Sequence, residues 1–245
     1  MSTLVSIIII LIILIVFHRG YFRYSHFNTR EVKPCSDCDA YNVHVNHHDP
    51  KQAAQLLEEI VNRNKKFVEH LKNKYLHSNL QNMNPDKSGR IDVIPQSDPV
   101  EDAVMAQVQY MATDMEYLSN RVMQLADRYN IDSIYEISPL NAAGNTSYTE
   151  NKGEKLVLCL RAKEKNDSGQ NDFHDINLIM FVVLHELTHI MNDRWGHETQ
   201  YWRMFKFVIL NAAEANIYTP VDYSKHPQVY CGMDITYNPY FDPTL

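Results

Sequence analysis

The sequence predicts an α+β protein: an N-terminal transmembrane helix, a helical region, then a small β-sheet packed on one strongly apolar helix. Three observations carry this reading. Apolar residues recur at three- and four-residue spacing over 52–77 and again over 98–129. The period then shortens to strand-like runs at 131–138 and 155–161, and 171–193 returns to a helix that is apolar almost throughout. Composition agrees with a packed globular chain: 245 residues, 44% hydrophobic and 22% charged, with only 7 Gly and 10 Pro to spend on linkers. The net charge of −7 is uneven. Residues 1–33 hold Arg19, Arg23, Arg30 and Lys33 against Glu31 alone, leaving 19 basic and 29 acidic residues for the remainder. A body this acidic has no general attraction for a phosphate backbone, which argues against direct nucleic-acid binding.

The run Leu4–Phe17 reads LVSIIIILIILIVF, with Ser6 its one polar member and no charge before Arg19. As a helix, residues 1–17 span about 25 Å, slightly under the roughly 30 Å of a bilayer's hydrocarbon layer. Tyr21 and Phe22 suit the interface, and Arg19 and Arg23 can snorkel to the headgroups. A cleaved signal peptide needs a basic start and a small-residue exit, and neither is present, so residues 1–23 read as an uncleaved anchor in a lipid bilayer. The basic residues all follow it, which places the body on the cytosolic side, or on the inner face of a virion membrane. That compartment implies reduced thiols.

Residues 24–50 read as a tether, with Pro34, Pro50, scattered His and no apolar period. Within it Cys35-Ser36-Asp37-Cys38 precedes His44, His47 and His48. Such a set can hold zinc, but no second C-x-x-C follows, and solvated thiols are the preferred reading. From Gln52, residues Leu57, Val61, Asn64, Val68, Leu71 and Tyr75 form one stripe of a long helix. Asn84–Gly89 is a loop, and Asp98-Pro99 opens a second helix whose buried side carries Val100, Val104, Val108, Met111 and Met115. Ile131–Ser138 and Lys155–Arg161 are strands, with Asn151-Lys152-Gly153-Glu154 as a hairpin turn and Cys159 as a packed thiol.

The helix at 171–193 carries His185-Glu186-Leu187-Thr188-His189, an H-E-x-x-H motif. Residues four apart on a helix lie about 40° apart in azimuth and about 6 Å apart along the axis. His185 and His189 can therefore present imidazole nitrogens to one tetrahedral zinc, with Glu186 beside them to serve a water and not the metal. Twelve His and thirteen Glu in 245 residues give about 0.03 such motifs by chance. The apolar setting, where unpaired His and Glu are costly, sharpens the signal further. A catalytic zinc needs a third protein ligand and an open fourth position. His197 is favoured, because Asp193-Arg194-Trp195-Gly196 breaks the helix and lets the chain turn back. Glu214 on the following helix is its rival, with Asp193 and Glu198 as weaker options. Trp202, Phe205, Ile209 and Ala213 share the face of that helix that would cover the site.

Residues 174–205, HDINLIMFVVLHELTHIMNDRWGHETQYWRMF, resemble the WLM/SprT-like zincin metallopeptidases. The stretch from Tyr148-Thr149-Glu150-Asn151-Lys152-Gly153 through Tyr230-Cys231-Gly232 is similar to the membrane-anchored WLM-domain proteins of large DNA viruses. The likeness is strongest over 130–235 and implies a zincin-like domain over 51–245 with an N-terminal helical extension. It implies Zn2+ on His185, His189 and His197, Glu186 as catalytic base, and a protein or peptide substrate. Some relatives cleave proteins crosslinked to DNA, but no DNA-binding element is evident here. Tyr218 and Tyr230 are candidate oxyanion donors, with packing their preferred role. A different class of function stays open: a membrane-anchored interaction protein with structural zinc, or a degenerate peptidase plugged by its own Tyr240-Phe241-Asp242-Pro243 tail.

Overall fold

The computed structural model describes residues 28–77, 115–140, 146–192 and 196–245. The expected anchor at 1–23, the loop at 84–89 and the start of the helix from 98 lie outside them. Among the described residues no helix is long and apolar enough to cross a membrane.

The chain begins with β1 (Thr29–Val32), β2 (Tyr41–His44) and α1 (Pro50–Lys72), which runs into a π-helical turn over Asn73–His77. After α2 (Met115–Arg128) come β3 (Ile134–Ile137), β4 (Tyr148–Glu150), β5 (Lys155–Cys159), β6 (Arg161–Lys165) and β7 (Asn171–Phe173). Helices α3 (Ile176–Met191) and α4 (Thr199–Glu214) follow, then β8 (Gln228–Tyr230), β9 (Met233–Ile235) and a 3-10 turn at Pro239–Phe241. Strands β1–β5 form one mixed sheet in the order β1-β2-β3-β5-β4, and β6–β7 and β8–β9 are two separate hairpins. The architecture is mixed α+β, as the sequence periods require.

Each helix forms for a legible reason. Pro50 opens α1, where its missing N–H costs nothing. Leu57, Ile60, Val61, Asn64, Phe67 and Leu71 then bury one stripe of α1, which packs on β2 and β3. The expected stripe holds, with Val68 half-buried and Tyr75 reached through the π-turn. Helix α2 is the last part of the second expected helix and buries Leu118, Val122 and Leu125. Asp175 caps α3 by accepting from the N–H groups of Asn177 and Leu178 at 2.9 and 3.3 Å. Twelve of the 16 residues of α3 are buried, so it is the central helix, packed among α1, α2, α4 and β4.

Residues 24–50 are not simply a tether, because β1 and β2 belong to the main sheet. What ties them in is a buried ion pair. The Arg161 guanidinium, fully buried, donates to Glu136 Oε1 at 2.8 Å and to the His48 carbonyl at 2.7 Å. Glu136 Oε2 accepts from the His44 N–H at 2.9 Å, and Arg161 lies 4.0 Å over the Phe173 ring. Charge that a strand of this length cannot carry alone is thus satisfied across β2, β3 and β6.

The cysteines also differ from expectation. Cys35 pairs with Cys38, and Cys159 pairs with Cys231 across 72 residues, so no described cysteine is a free thiol. The β1–β2 register sets Val32 against Tyr41 beside the Cys loop and Thr29 against His44 at the other end. Three ladder steps, roughly 10 Å, therefore separate the C-x-x-C from the histidines it was considered with. Cys159 is buried as expected, but as half of a disulfide.

Arg161→Leu leaves the Glu136 carboxylate buried without its counter-charge. It is expected to cost about 3–5 kcal/mol in urea denaturation. Adding Glu136→Leu should recover part of that loss, and a double variant no more stable than the single one would contradict this account.

Candidate metal centre

His185 and His189 stand one turn apart on α3, with their Nε2 atoms 3.2 Å apart. Helix α3 ends at Met191, and Gly196, at φ +97° in the left-handed region, lies just before the third histidine. His197 Nε2 lies 3.1 Å from both of the others. A tetrahedral ion bonded at about 2.0–2.1 Å needs ligand atoms roughly 3.3 Å apart, so the triangle has the right size. Its chemistry fits as well. In the tautomer that leaves each Nε2 unprotonated, three neutral imidazoles aimed at one point bring their lone pairs together, and a cation there turns that repulsion into attraction. Burial, reinforced by the neighbouring imidazoles, holds His185 down to about 3 and His189 down to about 4. Burial also lowers His197, so for all three the shift is towards the neutral form that metal ligation requires. Among the described residues this is the one group of His, Cys, Asp or Glu whose ligand atoms gather closely enough to share an ion.

The rival ligand lies elsewhere. Glu214 pairs with Lys74 and approaches His70 at 3.9 Å. Glu198 precedes the first turn of α4 and is not part of the cluster, and Asp193 lies outside the described residues.

Glu186 points from the neighbouring position towards β4. Its Oε2 accepts from the Thr149 N–H at 2.9 Å, with the Thr149 hydroxyl at 3.5 Å. Strand β4 is the last of the main sheet, and Thr149 directs this donor away from β5, off the open edge. Burial pushes the Glu186 carboxyl up to about 7, partly offset by the two Thr149 contacts.

Beneath the histidines lies an aromatic floor. The Tyr201 ring centroid is 5.2, 4.5 and 4.6 Å from those of His185, His189 and His197. Its hydroxyl donates to the His185 carbonyl at 3.0 Å, and Phe205 meets the His185 ring edge-on at 5.3 Å. Sequence spacing put Trp202, Phe205, Ile209 and Ala213 on the covering face. Phe205 and Ile209 are buried as expected, Trp202 and Ala213 are half-exposed, and the buried face is broader than that stripe, taking in Tyr201, Met204, Phe207, Val208 and Ala212 as well. Trp202 still lies 5.8 Å from His197.

Tyr218 and Tyr230 are both buried. Tyr218 bonds Asn238 at 3.1 Å, and Tyr230 shares a 2.8 Å hydrogen bond with Ser147 and stacks on His174, in keeping with packing roles. The C-terminal tail docks on α4, where Lys206 Nζ donates to the Asp242 carbonyl at 2.5 Å, and His197 stays exposed.

Sequence comparison places these residues among viral relatives. Uncharacterized protein R325 of Acanthamoeba polyphaga mimivirus is 36% identical over 121 residues, 49% of this chain and 54% of that protein. Uncharacterized protein 136R of Invertebrate iridescent virus 6 is 33% identical over 75 residues, 31% of this chain and 40% of that protein. The chain thus spans about half the length of these relatives or less. A crystal structure of a Wss1 mutant from Saccharomyces cerevisiae is similar at 17% identity and a TM-score of 0.30, over 50% of this chain and 87% of that one. At that score the likeness is too slight to define the fold. The family model described as WLM domain matches residues 86–226, more than half of the chain, and encloses all three histidines: the chain belongs to the WLM-domain family.

Proposed function

We propose that the chain is a zinc-dependent metallopeptidase that hydrolyses peptide bonds of a protein or peptide substrate. The observation that carries this is the triangle of three Nε2 atoms at 3.1–3.2 Å, beside a carboxylate that takes no part in it. His185, His189 and His197 would hold the ion. Bound zinc supplies Lewis acidity, which activates water and polarises the scissile carbonyl.

The remaining work falls to the chain's own groups. Glu186 is the general base: it takes the proton of the attacking water and returns it to the leaving amine. The Thr149 N–H holds one carboxylate oxygen, Oε2, and so fixes which oxygen faces the water. Tyr201 fixes the His185 main chain and walls the site from below, while exposed His197 leaves an approach from solvent. A carboxylate held beside the three histidines and apart from their triangle favours a catalytic role over a structural one.

Residues 1–23 are proposed as a membrane anchor, on their composition alone. With the positive-inside tendency, the body then faces the cytosol or a virion interior, while the Cys35–Cys38 and Cys159–Cys231 disulfides run against the reduced thiols that a cytosolic placement implies. Direct nucleic-acid binding forms no part of the proposal, given the acidic body.

Glu186→Gln is expected to keep stoichiometric zinc and lose turnover by about 100-fold or more. His197→Ala should lose both, with metal read by mass spectrometry and cleavage by gel. Wild-type cleavage by Glu186→Gln sinks the mechanism, and full zinc retention by His197→Ala sinks the ligand set. For the anchor, the full chain should pellet with carbonate-washed membranes and a chain lacking residues 1–23 should not. Equal partitioning of the two would refute it.

A further inference from the structure

The C-terminal end of α3 is finished by side chains. A helix leaves its last four carbonyls without N–H partners from its own turns. Here four successive carbonyls, from His189 to Asn192, each accept from a side chain. Lys152 Nζ donates to His189 O at 3.1 Å and to Asn192 O at 2.6 Å. From α2, Gln124 Nε2 donates to Ile190 O at 2.8 Å and Arg121 Nη1 reaches Met191 O at 3.4 Å.

Lys152 differs from the other two, because one of its acceptors is the main chain of a candidate ligand. The β4–β5 turn delivers it there through an unusual backbone. Asn151, Lys152 and Gly153 have φ of +49°, +58° and +114°, three left-handed residues in succession. Glycine is required at 153, where a Cβ would stand 2.6 Å from the Arg128 carbonyl. The Gly153 carbonyl in turn accepts from the Asn130 N–H at 2.9 Å, which clamps the turn against the end of α2. Two non-glycine residues are held in a conformation that L side chains disfavour, and the outcome is an ammonium on the end of the ligand helix.

We propose that Lys152 is a positioning residue of the metal centre. By holding the carbonyls of His189 and Asn192, it fixes the last turn of α3, and with it the aim of the His189 imidazole and the direction in which the chain leaves for His197. This role rests on the zinc reading above. Outer partners that orient metal ligands typically carry ten- to hundred-fold in metal affinity.

The test compares the wild-type chain with Lys152→Met and Lys152→Arg. Zinc affinity is measured by competition with a chromophoric chelator, the visible spectrum after cobalt substitution reports ligand geometry, and the melting point of the metal-free chains reports the fold. Lys152→Met is expected to bind zinc about ten-fold or more weakly. Its cobalt spectrum should be altered while its metal-free melting point stays near wild type, and Lys152→Arg should restore much of the affinity. A Lys152→Met chain that binds zinc within two-fold of wild type, with the same cobalt spectrum, overturns the proposal. Failure of the wild-type chain itself to bind zinc overturns the zinc reading, and this role with it. Should Lys152→Met not fold, reductive methylation of the wild-type chain decides. Zinc should slow labelling of Lys152 several-fold relative to the metal-free chain, and equal rates refute the role.

Discussion

A helix as apolar as α3 can sit at the centre of a domain only if every polar group it carries is answered from inside the protein, and most of the site follows from that constraint. Thr188 satisfies its hydroxyl on the Leu184 carbonyl at 2.8 Å within the helix. The Glu186 carboxylate is answered by a main-chain N–H of β4. The His185 carbonyl receives the Tyr201 hydroxyl. At the end of the helix, Lys152, Gln124 and Arg121 take the carbonyls that no further turn covers. The two imidazoles of the helix face one another with Nε2 atoms 3.2 Å apart, and the third arrives at 3.1 Å from both. With each Nε2 in its unprotonated tautomer, the three lone pairs converge on one point and make a site for a cation.

How much of this is legible in the sequence depends on where each partner's information resides. His185, Glu186 and His189 are readable because helix geometry fixes their relation within five residues. His197 is readable from the breaker before it, yet nothing local sets it above Glu214, and the decision comes from α4 carrying Glu214 away to Lys74. Thr149 could not be found, since its contribution is a main-chain N–H that almost any residue supplies. Tyr201 was not singled out, because most of α4 is buried and spacing alone does not say which part of a broad apolar face meets the histidines. The turn at 151–153 is visible as a turn from its Asn-Lys-Gly, but the destination of the Lys152 side chain is a tertiary fact.

The N-terminal ribbon fails to announce itself for a related reason. Strands of four residues, TREV and YNVH, are too short for a period to stand out. Their attachment is made by Arg161 and Glu136, about 90 to 110 residues further along the chain. A lone Glu in one β-rich run and a lone Arg at the end of another read as solvent-facing until the two strands are known to meet. Cys159 is ambiguous in the same way: a thiol and a half-cystine are buried alike, and only the approach of Cys231 to a Cα separation of 6.3 Å tells them apart.

These threads meet in β4, three residues long. Just before it, the Ser147 hydroxyl bonds both the Tyr230 hydroxyl at 2.8 Å and the Cys159 N–H at 3.0 Å, so this end is tied to the disulfide that joins β5 to the turn after β8. Just after it, Lys152 grips the end of α3. Between the two, Thr149 holds Glu186. The carboxylate is therefore set by a strand fixed at one end to the disulfide-linked strands and at the other to the ligand helix. A strand so short has little ladder of its own to hold it straight, and its end attachments supply the order that its pairing with β5 cannot. The general base and the ligand helix are thus positioned by one short segment, and a displacement of either of its ends is felt by both.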